Sequence, residues 1–577
     1  MPPGDGEQDR LRHPSGRNTI QQDMGSVLLI FLTFSLAAAA QTTHLVSEGV
    51  YTPAQAGRGK TAYAERCAGC HGADLKGGDE TPALAGERFL AKWQIRTVGD
   101  LFESLQATMP ADRPGTLSRS TNADILAHLL AANHFPAGAA DLPTQAAALQ
   151  ALRFQPGPTL VAAPVKDPNS FSAPLKIEGK PIETLPTEMP GNKPAFPQQT
   201  RAPYHATAPF KVTTLADNMP APWSVAFLPN GNLLLTLRLP GSLRILNKKG
   251  VLSAPLAGLA GLASPGAKDI GMLEVALDPK FATNHRIFLT FFDYMPGTNG
   301  AGTNSNTYVA RGTLDEAKAA VVDAKVIFRS IPAIPTQRLG GKTGGRIAFG
   351  PDGNLFVSTG DRSDSPPWAV AQDLGSHLGK ILHITPDGAP APDNPFLNKP
   401  GVLPEIWAYG IRNAEGMAFD PATGLLWENE HGPRGGDEVN IIEKGKNYGW
   451  PIIAHGIDYP GTVIGAGITH KEGLEEPVYY WDPVIAPSGL AFYTGNLFPQ
   501  WKGSLFVGGL RSRTLNRLRI VNGKVVEEEA LLEDLHARIR DVKVGPDGAV
   551  YVLTDSGSSG IQATSPLTSK LLKLTPR

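Results

Sequence analysis

A chain of 577 residues exceeds what one hydrophobic core usually organises, so more than one folding unit is expected. Its 53 basic and 54 acidic residues leave a net charge of -1, which excludes the basic footprint of a nucleic-acid binder or of a protein drawn to anionic membrane surfaces. The only cysteines are Cys67 and Cys70, which excludes a disulfide framework and leaves either one bridge or a cofactor attachment.

Residues 1–40 read as a secretory signal with an upstream extension. An apolar run from Gly25 to Leu36 precedes Ala37-Ala38-Ala39-Ala40, with Arg10, Arg12 and Arg17 before it, and Met24 is an alternative start. The run of about 12 to 16 apolar residues falls short of the roughly 20 that a spanning helix needs. Cleavage near Ala40-Gln41, no stable membrane insertion afterwards and a periplasmic location are therefore expected.

Residues 50–137 carry helical periodicity, clearest in Asn122 to Leu130, and predict a small all-α domain. Within it Cys67-Ala68-Gly69-Cys70-His71 has C-x-x-C-H spacing, in which two thiols attach one haem c and His71 supplies the proximal imidazole to iron. A redox dithiol needs a βαβ setting that this segment lacks. Met109 is the only methionine between His71 and the spacer that follows, and a thioether ligand there would raise the haem potential; His128 and His134 are the alternatives. The string Thr108-Met109-Pro110-Ala111-Asp112-Arg113-Pro114-Gly115, followed by a helix, resembles the end of the single-haem cytochrome c domains attached to quinoprotein dehydrogenases, and the resemblance favours Met109.

Residues 138–208 change to Pro, Ala, Thr and Gln with weak periodicity, which predicts an extended linker. From 209 to 577 one phrase recurs, an apolar strand, a tight turn and a second strand. It begins at Ser224, Glu274, Arg346, Gly416, Gly489 and Asp541. Six copies at this spacing predict an all-β, six-bladed β-propeller beside the α domain.

The strings Ile406 to Pro421, Asn429 to Pro451 and Ala537 to Asp555 resemble the soluble, PQQ-dependent aldose sugar dehydrogenases, over roughly 209–577. The resemblance implies a quinohaemoprotein that oxidises a sugar or small alcohol with PQQ and calcium and passes electrons through haem c to a periplasmic acceptor. It implies that Arg511, Arg538, Arg540 and Asn413 hold the quinone and that the carbonyls of Gly432 and Pro433 bind its calcium. Glu438 and Tyr448 match positions around a further, structural calcium. In a strand, Arg538 and Arg540 would point the same way.

One position departs from the family. Where the family has its catalytic histidine, four residues before Arg346, this chain has Lys342. A base must titrate near ambient pH, and an unperturbed lysine, at about 10.4, is a poor one. Burial and neighbouring cations would lower it, or Lys342 would serve as a cation for the quinone. Asp269 and Glu415 replace family glutamines and are candidate partners of Lys342 or alternative bases. The second reading is a catalytically altered propeller that binds carbohydrate or a partner. A calcium-dependent lactonase has no use for a haem.

Overall fold

The computed structural model describes residues 44–577 except 77–82, 87–88, 91–92, 94–96, 111–114, 155–173, 239–240, 266, 268, 295–302, 306, 337–340, 363–367, 460 and 556–567. The expected signal and its cleavage site, 1–40, lie outside the described residues. Chain contacts divide at Pro158 into two units, each described by itself.

The first unit is helical because its helix starts are written into the sequence. Thr52 caps the helix Pro53–Arg66 by accepting from the Gln55 amide, with Pro53 at the first helical position. Thr97 and Asp100 form a capping box on Val98–Thr108, and Ser118 caps Arg119–Ala132. The helices Pro53–Arg66 and Arg119–Ala132 pack closely: a Cβ on Gly59 would lie 1.7 Å from the Asp124 carbonyl oxygen, so only glycine permits the crossing. The expected linker gives up its first part to this unit. Leu152–Arg153 pairs in parallel with His44–Leu45, after the short helix Ala146–Gln150.

In the second unit, the alternation of apolar and small residues builds six antiparallel sheets. Their inner strands are Pro222–Phe227, Asp269–Leu277, Gly344–Phe349, Ala414–Phe419, Pro487–Phe492 and Arg538–Val544. These strands neighbour one another in a closed ring, the sixth against the first. Blades two to six have four strands and the first has three. Blade six takes its outer strand, Phe210–Met219, from the start of the unit, so the end of the propeller is hydrogen-bonded to its beginning. Apolar clusters fill the spaces between blades, such as Leu234, Ile270, Phe291 and Tyr308 between the first two.

Every inner strand slips register near its start: between Pro222 and Ser224, Met272 and Val275, Gly344 and Ile347, Ala414 and Gly416, Pro487 and Leu490, and Ile539 and Asp541. A bulge leaves residues unpaired and re-aims their side chains. Trp223, Glu274, Arg346, Glu415, Ser488 and Arg540 all fall inside these slips. The repeated phrase thus carries a bulge of one or two residues in the inner strand of every blade.

Candidate functional site

At the ring's centre Arg346 ties the blades together. Its Nη1 donates to Glu274 at 2.8 Å and to Asp541 at 3.0 Å, and its Nε donates to the Glu415 carbonyl at 2.5 Å. The guanidinium lies 3.9 Å from the Trp223 ring centroid. Burial opposes this charge, but Asp541 and Glu274 outweigh it and hold the Arg346 pKa above its ordinary value. Lys543 adds a second cation, 3.2 Å from Glu274.

Beside this axis stands an arginine-rich wall. Arg540 donates to Glu415 at 3.1 Å and to Asp555 at 3.0 Å, and Arg538 Nε lies 3.9 Å from the same Asp555 carboxylate. Both arginines thus reach one side, despite the bulge at Arg540. Arg238, which the sequence reading passed over, joins them: burial pushes its pKa down to about 10, with Arg540 the next contributor. Three guanidiniums against two carboxylates leave a positive excess in a buried place, which fits an anionic quinone bearing carboxylates. Arg511 donates to the Val484 carbonyl at 3.0 Å.

Asn413 and Glu415 are interlocked. The Asn413 amide donates to Glu415 at 3.0 Å, and its oxygen accepts from the Gly344 amide at 2.9 Å. Burial alone would raise the Glu415 pKa, but Arg540 above all, together with Arg346, brings it below the ordinary value. Both oxygens are engaged, one by Asn413 and one by Arg540. Asp269 opens its strand, and its side chain lies outside the described residues.

Lys342 has a left-handed backbone, φ 47°, followed by Gly344 and Gly345 at 60° and 97°. Its carbonyl oxygen would lie 1.9 Å from a Cβ on Gly360, so the two loops meet backbone to backbone. Its ammonium lies 3.8 Å from Asp361, whose side chain is fully buried. The other Asp361 oxygen accepts from Trp450 Nε1 at 2.9 Å, and Trp450 in turn faces the Arg412 guanidinium at 5.2 Å. Asp361 and Trp450 were not singled out from sequence, although Asp361 ends the repeated phrase of blade three.

An adjoining wall is acidic. Strands Leu426–Glu430 and Asp437–Ile442 set Glu428 opposite Asn440 and Glu430 opposite Glu438. Period-two alternation puts these four residues on one face. Glu430, Glu438, Gly432, Pro433 and Tyr448 line one small pocket there. Burial raises Glu430 to about 7 and Glu428 and Glu438 well above the ordinary carboxylate range; neighbouring Glu430 raises the last two further. Glu428 Oε2 and Asn440 Oδ1 are buried without a hydrogen-bond partner. Hard oxygen donors, an excess of negative charge and orphaned buried oxygens fit a calcium ion.

The expected carbonyl ligands need one qualification: Gly432 O already accepts from Arg412 at 3.1 Å and has one lone pair left. His431 is neutral, pushed down to about 4 by burial, and its Nε2 donates to the Pro487 carbonyl at 2.6 Å.

In the helical unit, His71 is buried at the end of Ala68–His71, and Cys67 packs against an apolar cluster containing Tyr63, Leu75, Ile125 and Leu129. The Cys70 side chain lies outside the described residues. Met109 caps Val98–Thr108 and is half-buried. His128 packs on the Tyr63 ring at 5.4 Å.

Comparison with known proteins agrees with this division. The family model described as glucose / sorbosone dehydrogenase matches residues 219–563, and that of cytochrome c oxidase, cbb3-type, subunit III matches 54–129. Aldose sugar dehydrogenase YliI of Escherichia coli (strain K12) is 42% identical over 363 residues, covering 63% of this chain and 94% of that protein. Quinoprotein glucose dehydrogenase B of Acinetobacter calcoaceticus is 24% identical over 420 residues, 61% of this chain and 86% of that protein. The apo-form structure of the soluble Escherichia coli aldose sugar dehydrogenase superposes with a TM-score of 0.57 at 41% identity, over 64% of this chain and 100% of that one. The PQQ-bound aldose sugar dehydrogenase of Streptomyces coelicolor gives 0.50 at 30% identity, over 65% and 100%.

Proposed function

From the premise that this chain belongs to the glucose / sorbosone dehydrogenase family, a PQQ-type sugar dehydrogenase joined to a cytochrome domain, we propose a periplasmic quinohaemoprotein with its two cofactor walls divided by charge. The arginine wall of Arg238, Arg538 and Arg540, with Asn413 and Arg511, would hold the quinone carboxylates; in the pocket, the carbonyls of Gly432 and Pro433 would hold the quinone's calcium, and Glu438 and Tyr448, beside Glu430, a further, structural calcium. When bound, the quinone supplies a two-electron acceptor, and calcium supplies a Lewis acid. The observation that carries the reading is the opposite, unbalanced charge of these two adjoining buried walls.

The residues of the chain contribute position and proton transfer. Arg412 donates to the His431 and Gly432 carbonyls and so fixes the loop that lines the acidic pocket. Trp450 orients Asp361, which faces Lys342. We assign removal of the hydroxyl proton to Lys342. Its ammonium nitrogen stands 3.8 Å from Asp361, which positions it, and a proton acceptor must be within hydrogen-bond reach of the proton it takes. Cys67 and Cys70 would attach haem c, His71 and Met109 would bind its iron, and the group would supply a one-electron relay to an external acceptor. Tethering in one chain makes the transfer between domains intramolecular.

The test is to add calcium and PQQ to haem-loaded protein with a panel of aldoses and simple alcohols while following haem absorbance. Reduction of the haem is expected. Quinone uptake without haem reduction by any substrate favours the altered, carbohydrate-binding propeller instead. Lys342→His is expected to keep or raise the rate and to shift the pH profile downward; abolished turnover would give lysine a role other than proton acceptor.

A further inference from the structure

Residues 174–208 precede the segment covered by the family model and were expected to be a linker. They lie instead along the propeller, and part of them stands behind the acidic pocket. Asp482, buried beneath blade four, accepts from the Glu188 amide at 2.6 Å, the Met189 amide at 3.3 Å and the Asn192 side chain at 3.0 Å. Arg201 closes the turn by donating to the carbonyls of Leu185 and Asp482 at 2.6 and 2.9 Å.

Two backbone walls of the pocket depend on the same residues. Arg434–Gly435 pairs with Gly456–Ile457, and a Cβ on Gly456 would lie 2.1 Å from the Gly435 oxygen. On the first wall, Gly435 sits against Asp482, where a Cβ would meet Oδ1 at 2.5 Å, and the Arg434 guanidinium pairs with Glu188. On the second, Asn192 donates to the His455 carbonyl at 2.8 Å, and His455 Nδ1 donates back to Asn192 at 3.1 Å. Gly435 and Gly456 both line the pocket. Asn192 therefore grips Asp482 and His455 at once, spanning both walls from outside.

We propose that Glu188 and Asn192 are positioning residues for the pocket's cation: the N-terminal strap fixes the spacing of the main-chain walls, so calcium affinity is set partly from outside the family domain. This rests on the calcium assignment made above. A hard cation bound by oxygens tolerates little change in their spacing, and outer partners of metal ligands commonly contribute as much as some ligands.

The experiment is calorimetric titration of calcium into chelator-stripped, haem-loaded full-length protein. Asn192→Ala and Glu188→Gln are each expected to weaken binding roughly tenfold or more. Lys176→Ala, which removes the strap's ion pair to Glu533 elsewhere, should leave affinity within about twofold on the same scale. Melting in chelator should show all three variants folded, close to the parent. Unchanged affinity in Asn192→Ala, or an equal loss in Lys176→Ala, overturns the brace. No calcium uptake by the parent overturns the calcium assignment itself, and the brace with it.

Discussion

On one side of the site, Arg540 lies between Glu415 and Asp555, each within hydrogen-bonding distance. On the other, Glu428, Glu430 and Glu438 share a strand face, and none of the three forms an ion pair among the described residues. Both walls are largely buried, so desolvation acts against charge on each. The arginine wall sets two carboxylates against three guanidiniums and is largely compensated before any ligand arrives. The carboxylate wall is not, and its neutrality must come from protons or from a cation. The two kinds of wall therefore predict opposite responses to removing one charge.

The largest effect is expected on the compensated side. Arg540→Ala strands Glu415 and Asp555 in a buried place, and breaking such a network by removing one partner costs about 3–5 kcal/mol. Urea unfolding should show that loss, and adding Glu415→Gln should recover part of it. A loss below about 1 kcal/mol would mean that water reaches the wall and that its arginines behave as surface residues.

On the uncompensated side the sign reverses. Glu430→Gln keeps an oxygen for the Arg412 and Asn413 amides while removing a charge that burial disfavours. Stability in chelator should rise by roughly 1–3 kcal/mol, since each unit of pKa displacement corresponds to about 1.4 kcal/mol. The stabilisation gained on adding calcium should shrink in the same variant. Thermal melts with chelator and with calcium measure both, and a fall in chelator would show that the charge is already balanced.

These walls were unequally legible in the sequence. C-x-x-C-H names its chemistry because one porphyrin constrains all its residues, and the six copies of the hairpin phrase announce six blades because each blade is a local unit. Arg538 and Arg540 are legible as a pair through the family resemblance, with strand alternation in support. The bulges could not be read, because a slipped register leaves the sequence period intact while turning Glu415 toward Arg540. Sequence offers Glu415 as a candidate base and does not show that its oxygens accept from Arg540 and Asn413. Asp361 gained its meaning only from Trp450, 89 residues on. The strap was hidden for a similar reason: its Pro-rich composition describes a spacer, but its anchor, Asp482, lies nearly 300 residues away, 294 from Glu188.

Glu528 provides a third case that separates proton from calcium, with the smallest expected effect. It is buried away from the pocket and accepts from Trp481 at 2.7 Å, Tyr479 at 2.8 Å and Asn516 at 3.1 Å, all neutral donors. Burial pushes its pKa from the ordinary 4.5 up to about 7, more than these donors lower it. The folded protein thus holds this proton more tightly than the unfolded chain does. Its stabilising contribution is complete below about 4.5 and is lost as pH rises through about 7. Glu528→Gln mimics the protonated state at every pH. The variant should match the parent at pH 4.5 and melt a few degrees above it at pH 8, by an amount that calcium does not change. Equal melting at pH 8 would show that Glu528 is ionised there without cost. A difference abolished by calcium would place Glu528 with the pocket carboxylates, and the contrast between walls would then extend across blade five.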